Sequence, residues 1–442
     1  MPNFELSNKG LMRHIIISLL MAAAVTLPAM AQEESSVYVD LQVRGRGENR
    51  DGGLPNGDSE AQDHSAFIQS RSRLVVGYQR PELEVKTAMQ HSGVWGQADK
   101  GSFNIQEAWI RLGAPFGLFT KLGRQALSYD DERIIGPNDW NMAGNSHDIL
   151  IAGFEGYGHK FHVGGAFNQS AENTNSGSTY YPGGSAPYKT MQLGWYHYDV
   201  PVVPLGASIM FMNIGMQAGT QGADEHVEWQ HILGGYLKYS PKNLSVEASY
   251  YRQFGRNEDG IRLDAWMASG KAMYSPWKKL GFVAGYDYLS GDDTYAVPQP
   301  GQTGLIKHEV IKGFNPVYGS HHKFYGAMDF FYMSTYVNGF SPGLQNAYAG
   351  VKVNPMPGMD IGVQYHYLAI AAKLQDIGST LGHEFEIDAS WKFIKDVKLS
   401  LGLSYMVGTK NMQLLKRASQ DGRLFWAWIS IEATPRLLNY KW

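Results

Sequence analysis

The sequence has no cysteine. Disulfides, thiolate metal sites and a cysteine nucleophile are excluded, and so is the lipid-bearing cysteine of a lipoprotein. Charge is sparse too: 18% of the 442 residues are Asp, Glu, Lys or Arg, and the formal net charge is -3 at pH 7. With no basic excess to neutralise a phosphate backbone, nucleic acid is not an expected partner. Beyond the N-terminal region no uncharged apolar run is long enough for a membrane helix. A fixed repeat period is missing, which argues against a solenoid, and no repeated boundaries mark an array of β-sandwiches.

What is abundant is glycine and aromatic rings, 51 Gly, 26 Tyr and 11 Trp, at a mean hydropathy of -0.30. Such a composition suits many strands joined by turns rather than a helical enzyme, which spends more on Leu, Glu and Lys. Lys9, Arg13 and His14 precede the apolar run from Ile15 to Leu27, and Ala29-Met30-Ala31 supplies small residues, the two alanines, at the positions of a cleavage site. Residues 1–31 therefore read as a signal peptide, with a single membrane anchor as the alternative. An exported chain without a spanning helix enters a membrane only as a closed sheet.

Alternation supports that reading. From Val37 to Gly47, Val37, Val39, Leu41 and Val43 share one face, while Tyr38, Asp40, Gln42, Arg44 and Arg46 share the other. Ala66 to Gln79 opposes Gln69, Arg71 and Arg73 to Ile68, Leu74 and Val76, and Glu82 to His91 opposes Glu82, Glu84 and Lys86 to Leu83, Val85 and Met89. Phe103 to Leu112 sets Glu107 and Arg111 against Ala108, Ile110 and Leu112. After a short turn, Leu118 to Gln125 puts Phe119, Lys121 and Gln125 opposite Leu118, Leu122 and Arg124. Further alternating segments continue to Ala433. Short turns alternate with long connections at 48–65, 126–147, 169–187 and 291–344, the wiring of an outer-membrane barrel with long external loops. Counting Lys323 to Met333 as a strand gives an odd total of about 19. Treating 291–344 as one loop, with its aromatic piece packed on or inside the barrel, gives about 18. The expected fold is an all-β transmembrane antiparallel barrel over residues 32–442, in the outer membrane of a Gram-negative bacterium. Phe425, Trp426, Trp428 and Ile431 enrich the last strand in rings, as at a lipid interface.

In such a barrel the apolar parity faces lipid and the polar parity faces the lumen. The expected substrate path is then lined by Asp40, Arg44, Arg46, Arg71, Arg73, Glu82, Glu84, Lys86, Glu107, Arg111, Lys121 and Arg124. Arg forks suit a carboxylate-bearing solute, and neighbouring acids hold them in place. The competing role is that these charges pair across strands and stiffen the wall. Arg124 is the awkward member, because strict parity sends it outward with Leu122 unless a bulge at Gly123 or nearness to water intervenes. His321 and His322 lack a spaced third ligand and read as surface histidines. Asp130, Asp131 and Glu132 lack the periodic oxygens of a calcium loop and fit better as an acidic loop that partners the arginines. No cofactor or metal is expected.

KLGRQALSYDDERIIG at 121–136 together with the 103–112 limb, HKFYGAMDFF at 322–331, GLQNAYAGVKV at 343–353 and LGHEFEIDASWKF at 381–393 resemble blocks of the alginate-export outer-membrane barrels. The resemblance implies a monomeric 18-stranded barrel, a basic lumen partly closed by loops, and passage of an anionic polyuronate. It points to Arg44, Arg46, Arg71, Arg73, Arg111 and Arg124 as the basic residues, with Gly123, Arg124 and Gln125 as the motif. Its partners would be the lipid bilayer, lipopolysaccharide, the outer-membrane assembly machinery and an anionic oligosaccharide or small hydrophilic solutes.

The leading expectation is a passive or facilitated channel for hydrophilic, anionic or sugar-like solutes. The alternative is a closed barrel serving as a scaffold that binds a partner or glycan through its loops. A barrel enzyme is not expected, since Ser128 near Asp130 and Ser320 near His321 are local pairs without a third member.

Overall fold

The computed structural model describes residues 34–51, 64–97, 100–184, 186–293, 309–331, 341–416 and 423–442. The proposed signal peptide and most of the first long connection lie outside them. The strands are β1 (Ser36–Asp51), β2 (Ser65–Arg80), β3 (Leu83–Val94), β4 (Ser102–Gly113), β5 (Leu118–Gln125), β6 (His147–Gly156), β7 (His159–Phe167), β8 (Thr190–Asp199), β9 (Leu205–Ala218) and β10 (His226–Tyr239). They continue with β11 (Leu244–Arg256), β12 (Arg262–Trp277), β13 (Leu280–Leu289), β14 (Val310–Ile311), β15 (Leu344–Val353), β16 (Met359–Ala369), β17 (Thr380–Ile394), β18 (Val397–Gly408), β19 (Arg423–Ala433) and β20 (Arg436–Lys441).

Successive wall strands pair antiparallel, β13 pairs directly with β15, and β19 and β20 both return to β1. β19 meets Val43–Asp51 and β20 meets Ser36–Asp40, so the two are halves of one strand interrupted at Pro435. The interruption is bridged, since Leu41 N donates to the Pro435 carbonyl at 3.1 Å. With β14 a two-residue parallel edge on β12, the wall is an 18-stranded antiparallel barrel with no open edge.

One rim is made of tight turns. At the β6–β7 turn both Tyr157 (φ 55) and Gly158 (φ 83) are left-handed, the geometry whose twist matches a two-residue hairpin. The other rim carries the long connections, which face outward in barrels of this kind. β1, β2 and β12 each have 16 residues. At about 3.3 Å per residue they outreach a lipid band about 25 Å tall, so their ends stand in water.

The two halves of the wall differ. Across β1 to β5 the apolar parity is exposed outward, with Val43, Ile68, Leu74, Val85, Ile110 and Leu122 on the lipid side, and the charged parity faces in. Across β8 to β12 the inward face is itself apolar: Met191, Leu193, Met210, Met212, Ile214, Ile232 and Met267 are all buried. A uniformly polar lumen is therefore not what forms. The apolar inner face is a seat for two inward loops, 126–146 after β5 and 309–331 before β15. Leu127, Tyr129, Ile134, Ile135, Phe314, Tyr318, Tyr325, Met328, Phe330 and Phe331 from these loops join wall side chains in one buried cluster. In the second loop a short 3-10 segment at His321–Lys323 leads into bends and turns over 324–331, which form no wall strand; residues 332 and 333 of the strand considered at Lys323 to Met333 lie outside the described residues.

Candidate functional site

The two loops are fastened to each other before they meet the wall. Ile135 bridges Tyr318, Tyr318 N donates to the Ile134 carbonyl (3.1 Å), and Gly136 N donates back to Tyr318 (2.9 Å). Ser320 N donates to the Glu132 carbonyl (2.8 Å), and its Oγ accepts from Asn138 N (3.0 Å). Lys323 is ion-paired with Glu132.

Each loop is then tied to a different part of the wall. Asp130 accepts from Trp195 Nε1 of β8 (3.0 Å), Ser208 Oγ of β9 and Tyr251 OH of β11 (2.9 Å). Arg133, buried, lies between Asp131 (3.1 Å) and Asp287 of β13 (3.0 Å), with its guanidinium 4.0 Å from the Phe324 ring centre. In the second loop the Ala327 and Met328 amides donate to Glu386 (2.6 Å) and Glu384 (2.9 Å) of β17. Satisfying these polar groups inside the barrel is what allows two irregular segments to occupy it.

The tip of the first loop faces the basic wall. Asp139 Oδ2 meets Arg44 Nη2 at 2.7 Å, and Oδ1 meets Arg71 Nη2 at 2.8 Å and Arg73 Nη1 at 3.6 Å. Arg44 is also paired with Glu432, and Arg73 donates twice to Gln90 Oε1 (2.9 and 2.6 Å). Next in the chain, Trp140 lies 3.8 Å from the Arg46 guanidinium, stacks on His322 at 3.8 Å, and meets Trp426 and Trp428 edge-on. Arg46 is held by Glu48 (2.8 Å) and the Trp140 carbonyl (2.9 Å).

Below the tip, towards the tight-turn rim, the inward charges pair across strands: Lys86 with Glu107 (2.6 Å), and Arg111 with Glu84 (3.0 Å). Lys121 lies 3.9 Å from the Trp109 ring centre. Asp40, near the same rim, is paired with Arg436 at 2.7 Å. On the tight-turn side of the loops, a cavity of about 490 Å³ is lined by Asp131, Lys238, Glu247, Lys271, Tyr348 and Asp388 among others.

Two of the residues expected in the path stand elsewhere. Glu82 is in the β2–β3 turn, 3.3 Å from Arg80, because β3 begins at Leu83. Arg124 points to the outer face, as strict parity requires, with no bulge: the Ala108–Arg124 and Trp109–Gly123 registers run on unbroken. It is satisfied there by Asp148 on β6 at 2.7 and 2.8 Å, two residues beyond the exposed Leu122–Leu150 pair towards the outer rim. Trp426 and Trp428, expected at a lipid interface, turn inward onto the loop tip. His321 and His322 are not surface histidines, since His322 is clasped between Trp140 and Asp329 (2.8 Å). The acids of 130–132 do not converge on a common point: one goes to the wall, one to Arg133 and one to Lys323.

Charge on the loops follows their partners. Partial burial pushes the Asp139 carboxyl up, but Arg71 and Arg44 outweigh it and hold it below the ordinary aspartate range. Glu132 is likewise held down against burial by Lys323 and Ser128. Burial pulls His321 down to about 4, so it is neutral at pH 7.

Asp139, Trp140, Gln90, Glu432 and Arg133 were not among the expected site residues. Gln90 shares the inward parity of Lys86, and that signal could have found it, while Glu432 shares the parity of Trp428, which read as belonging to a lipid interface. Asp139 and Trp140 lie in a loop without periodicity, where only tertiary contacts reveal a role.

The Gram-negative porin family model matches residues 18–406. No curated protein matches the chain. Among solved structures it is similar to Acinetobacter baumannii OccAB1, at 12% identity and TM-score 0.61 over 91% of this chain and 97% of that one. Pseudomonas aeruginosa OpdL is 12% identical at TM-score 0.61, covering 91% of this chain and 99% of that one. Pseudomonas aeruginosa OccK5 (OpdH) is 12% identical at TM-score 0.58, covering 91% and 98%. These findings correct the alginate-export resemblance: the matching family is a porin family, the likeness is to Occ and Opd barrels, and Arg124 of the Gly-Arg-Gln motif does not enter the lumen.

Proposed function

Because this chain belongs to the Gram-negative porins and is a barrel of the outer membrane rather than an enzyme, we propose that it admits small hydrophilic solutes bearing a carboxylate. The observation that carries this reading is the meeting of Arg44, Arg71 and Arg73 at one loop carboxylate in the narrowed lumen. Those forks can pair with a carboxylate, and their position where the loop tip meets the wall makes the contact unavoidable for a passing solute. The flanking pairs Lys86–Glu107 and Arg111–Glu84 keep the wall hydrated without adding deep traps. Opposite them, the apolar seat fixes the loops and leaves the basic side as the path.

The channel works as a monomer in contact with lipopolysaccharide, delivered by the outer-membrane assembly machinery. Solutes move down their gradient. Planar-bilayer recording in a salt gradient tests the reading. The wild-type channel is expected to prefer anions and to be blocked by glucuronate more strongly than by glucose. Arg44→Ala and Arg73→Ala should each lower the anion preference by about threefold or more, as loss of a charge-assisted contact implies. An unchanged reversal potential in both variants would refute the assignment.

A further inference from the structure

The arginine cluster already holds a carboxylate, and that carboxylate belongs to the chain. Asp139 sits on Arg44, Arg71 and Arg73, yet its side chain remains 48% exposed to the lumen, while Arg71 is fully buried at 0%. The fit is incomplete. Each arginine meets the Asp139 carboxylate through one terminal nitrogen, Arg44 adding a bond to the Asp139 carbonyl (2.7 Å) and Arg73 only an ion pair at 3.6 Å, whereas a guanidinium binds a carboxylate best through two parallel N–H groups. Arg71 Nε is buried with no acceptor at all, although it stands beside the Nη2 that reaches Asp139. A buried donor left this way costs stability unless something else takes it.

The attachment is also made by a short, separately held piece of chain. Asn138, just before Asp139, has a left-handed φ of 45°, and its amide is held by Ser320 Oγ from the second loop. Asn tolerates that region better than most residues but does not favour it. The tip is therefore placed by the second loop rather than by its own conformational preference.

We infer that Asp139 is a built-in competitor: it occupies the carboxylate subsite of the basic wall, and a solute carboxylate binds there by displacing it and engaging the Arg71 fork, Nε included. This rests on the carboxylate-channel reading above and adds to it what regulates the subsite. With Asp139 and Glu432 in place most of the positive charge of the three arginines is offset, so solutes with weaker anionic groups compete poorly, and a paired fork is the gain that a solute carboxylate has over the internal one.

Asp139→Asn keeps the shape of the side chain and removes the competing charge. Single-channel block by glucuronate should strengthen, its half-blocking concentration falling about tenfold, the scale of one lost charge-assisted competitor. Glu247→Gln removes an equal charge on β11, where it pairs with Lys238 and Lys271 away from the cluster, and should shift block by less than about twofold. Ser320→Ala, which releases the Asn138 amide without altering lumen charge, should shift it in the same direction as Asp139→Asn by a smaller factor. If Asp139→Asn leaves block unchanged or weakens it while the wild type is blocked and prefers anions, Asp139 positions the arginines and the inference falls. Equal shifts in Asp139→Asn and Glu247→Gln also overturn it, in favour of a general field effect. Absence of both block and anion preference in the wild type defeats the underlying carboxylate reading instead.

Discussion

Gly123 is a residue of the β4–β5 hairpin that admits no side chain. It lies inside β5 at φ 124°, and a Cβ there would stand 2.2 Å from the Ala108 carbonyl oxygen and 2.9 Å from the Trp109 Cα. Both the dihedral and the space exclude a side chain, so Gly123→Ala should destabilise the barrel by about 2–4 kcal/mol. Urea-driven unfolding from lipid vesicles measures it, and an unchanged midpoint would show that the strand relaxes freely. The neighbour Arg124 shows how far single residues were legible. Alternation gave its direction correctly, and what alternation omits is depth: near the outer rim an arginine paired with Asp148 is admissible where Leu122 is still in the lipid band. Arg44, Arg71 and Arg73 were found by the same rule, while their common partner Asp139 was not, because a loop has no period from which to read a direction.

At the scale of elements, the strands could be read from period and turns almost to their ends, and the inner face of half the wall could not. The segment from Leu205 to Gln217 is apolar on both parities, which is the visible trace of a strand with lipid on one side and a loop on the other. Deciding that the first loop covers it requires the loop's path, which depends on ties such as Asp130 to Ser208 of that strand, Trp195 and Tyr251 rather than on local pattern. Buried and ion-paired groups elsewhere on the loops make them sensitive to acid in two stages. His321 has a folded pKa of about 4, below its ordinary value near 6.5. Neutral His321 thus supports the loop fully above about pH 6.5, and that support is lost as pH falls towards 4. Asp139 and Glu132 are also held low, so their contribution is complete above about pH 4 and is lost only below it. Open-channel noise should therefore begin to rise below about pH 6.5 and rise steeply below about 4. His321→Gln should remove the first stage and keep the second. A single transition unaffected by that variant would contradict the assignment.

The whole molecule divides its work between two parts that do not share hydrogen bonds of the same kind. The wall closes through backbone pairing from β1 round to β19 and β20, and no strand ladder runs through residues 138–143. Those residues reach the wall only through side chains and loop carbonyls: Asp139 and Trp140 on the arginines, Asn141 and Met142 near Arg71, and Ala143 on Gln90. Barrel stability and pore width should then separate. Replacing residues 138–143 by two glycines is expected to leave the β-sheet circular dichroism and the heat-modified gel mobility intact, since loop closure changes little with a few residues. Conductance should rise severalfold, because the obstruction at the basic wall is gone. Anion preference should persist in the shortened channel, since Arg44, Arg71 and Arg73 belong to β1 and β2 and stay where the ladder holds them. Conductance equal to the wild type would place the narrowest point elsewhere, most directly in the second loop at 309–331, whose amides remain tied to Glu384 and Glu386 whatever happens at the tip.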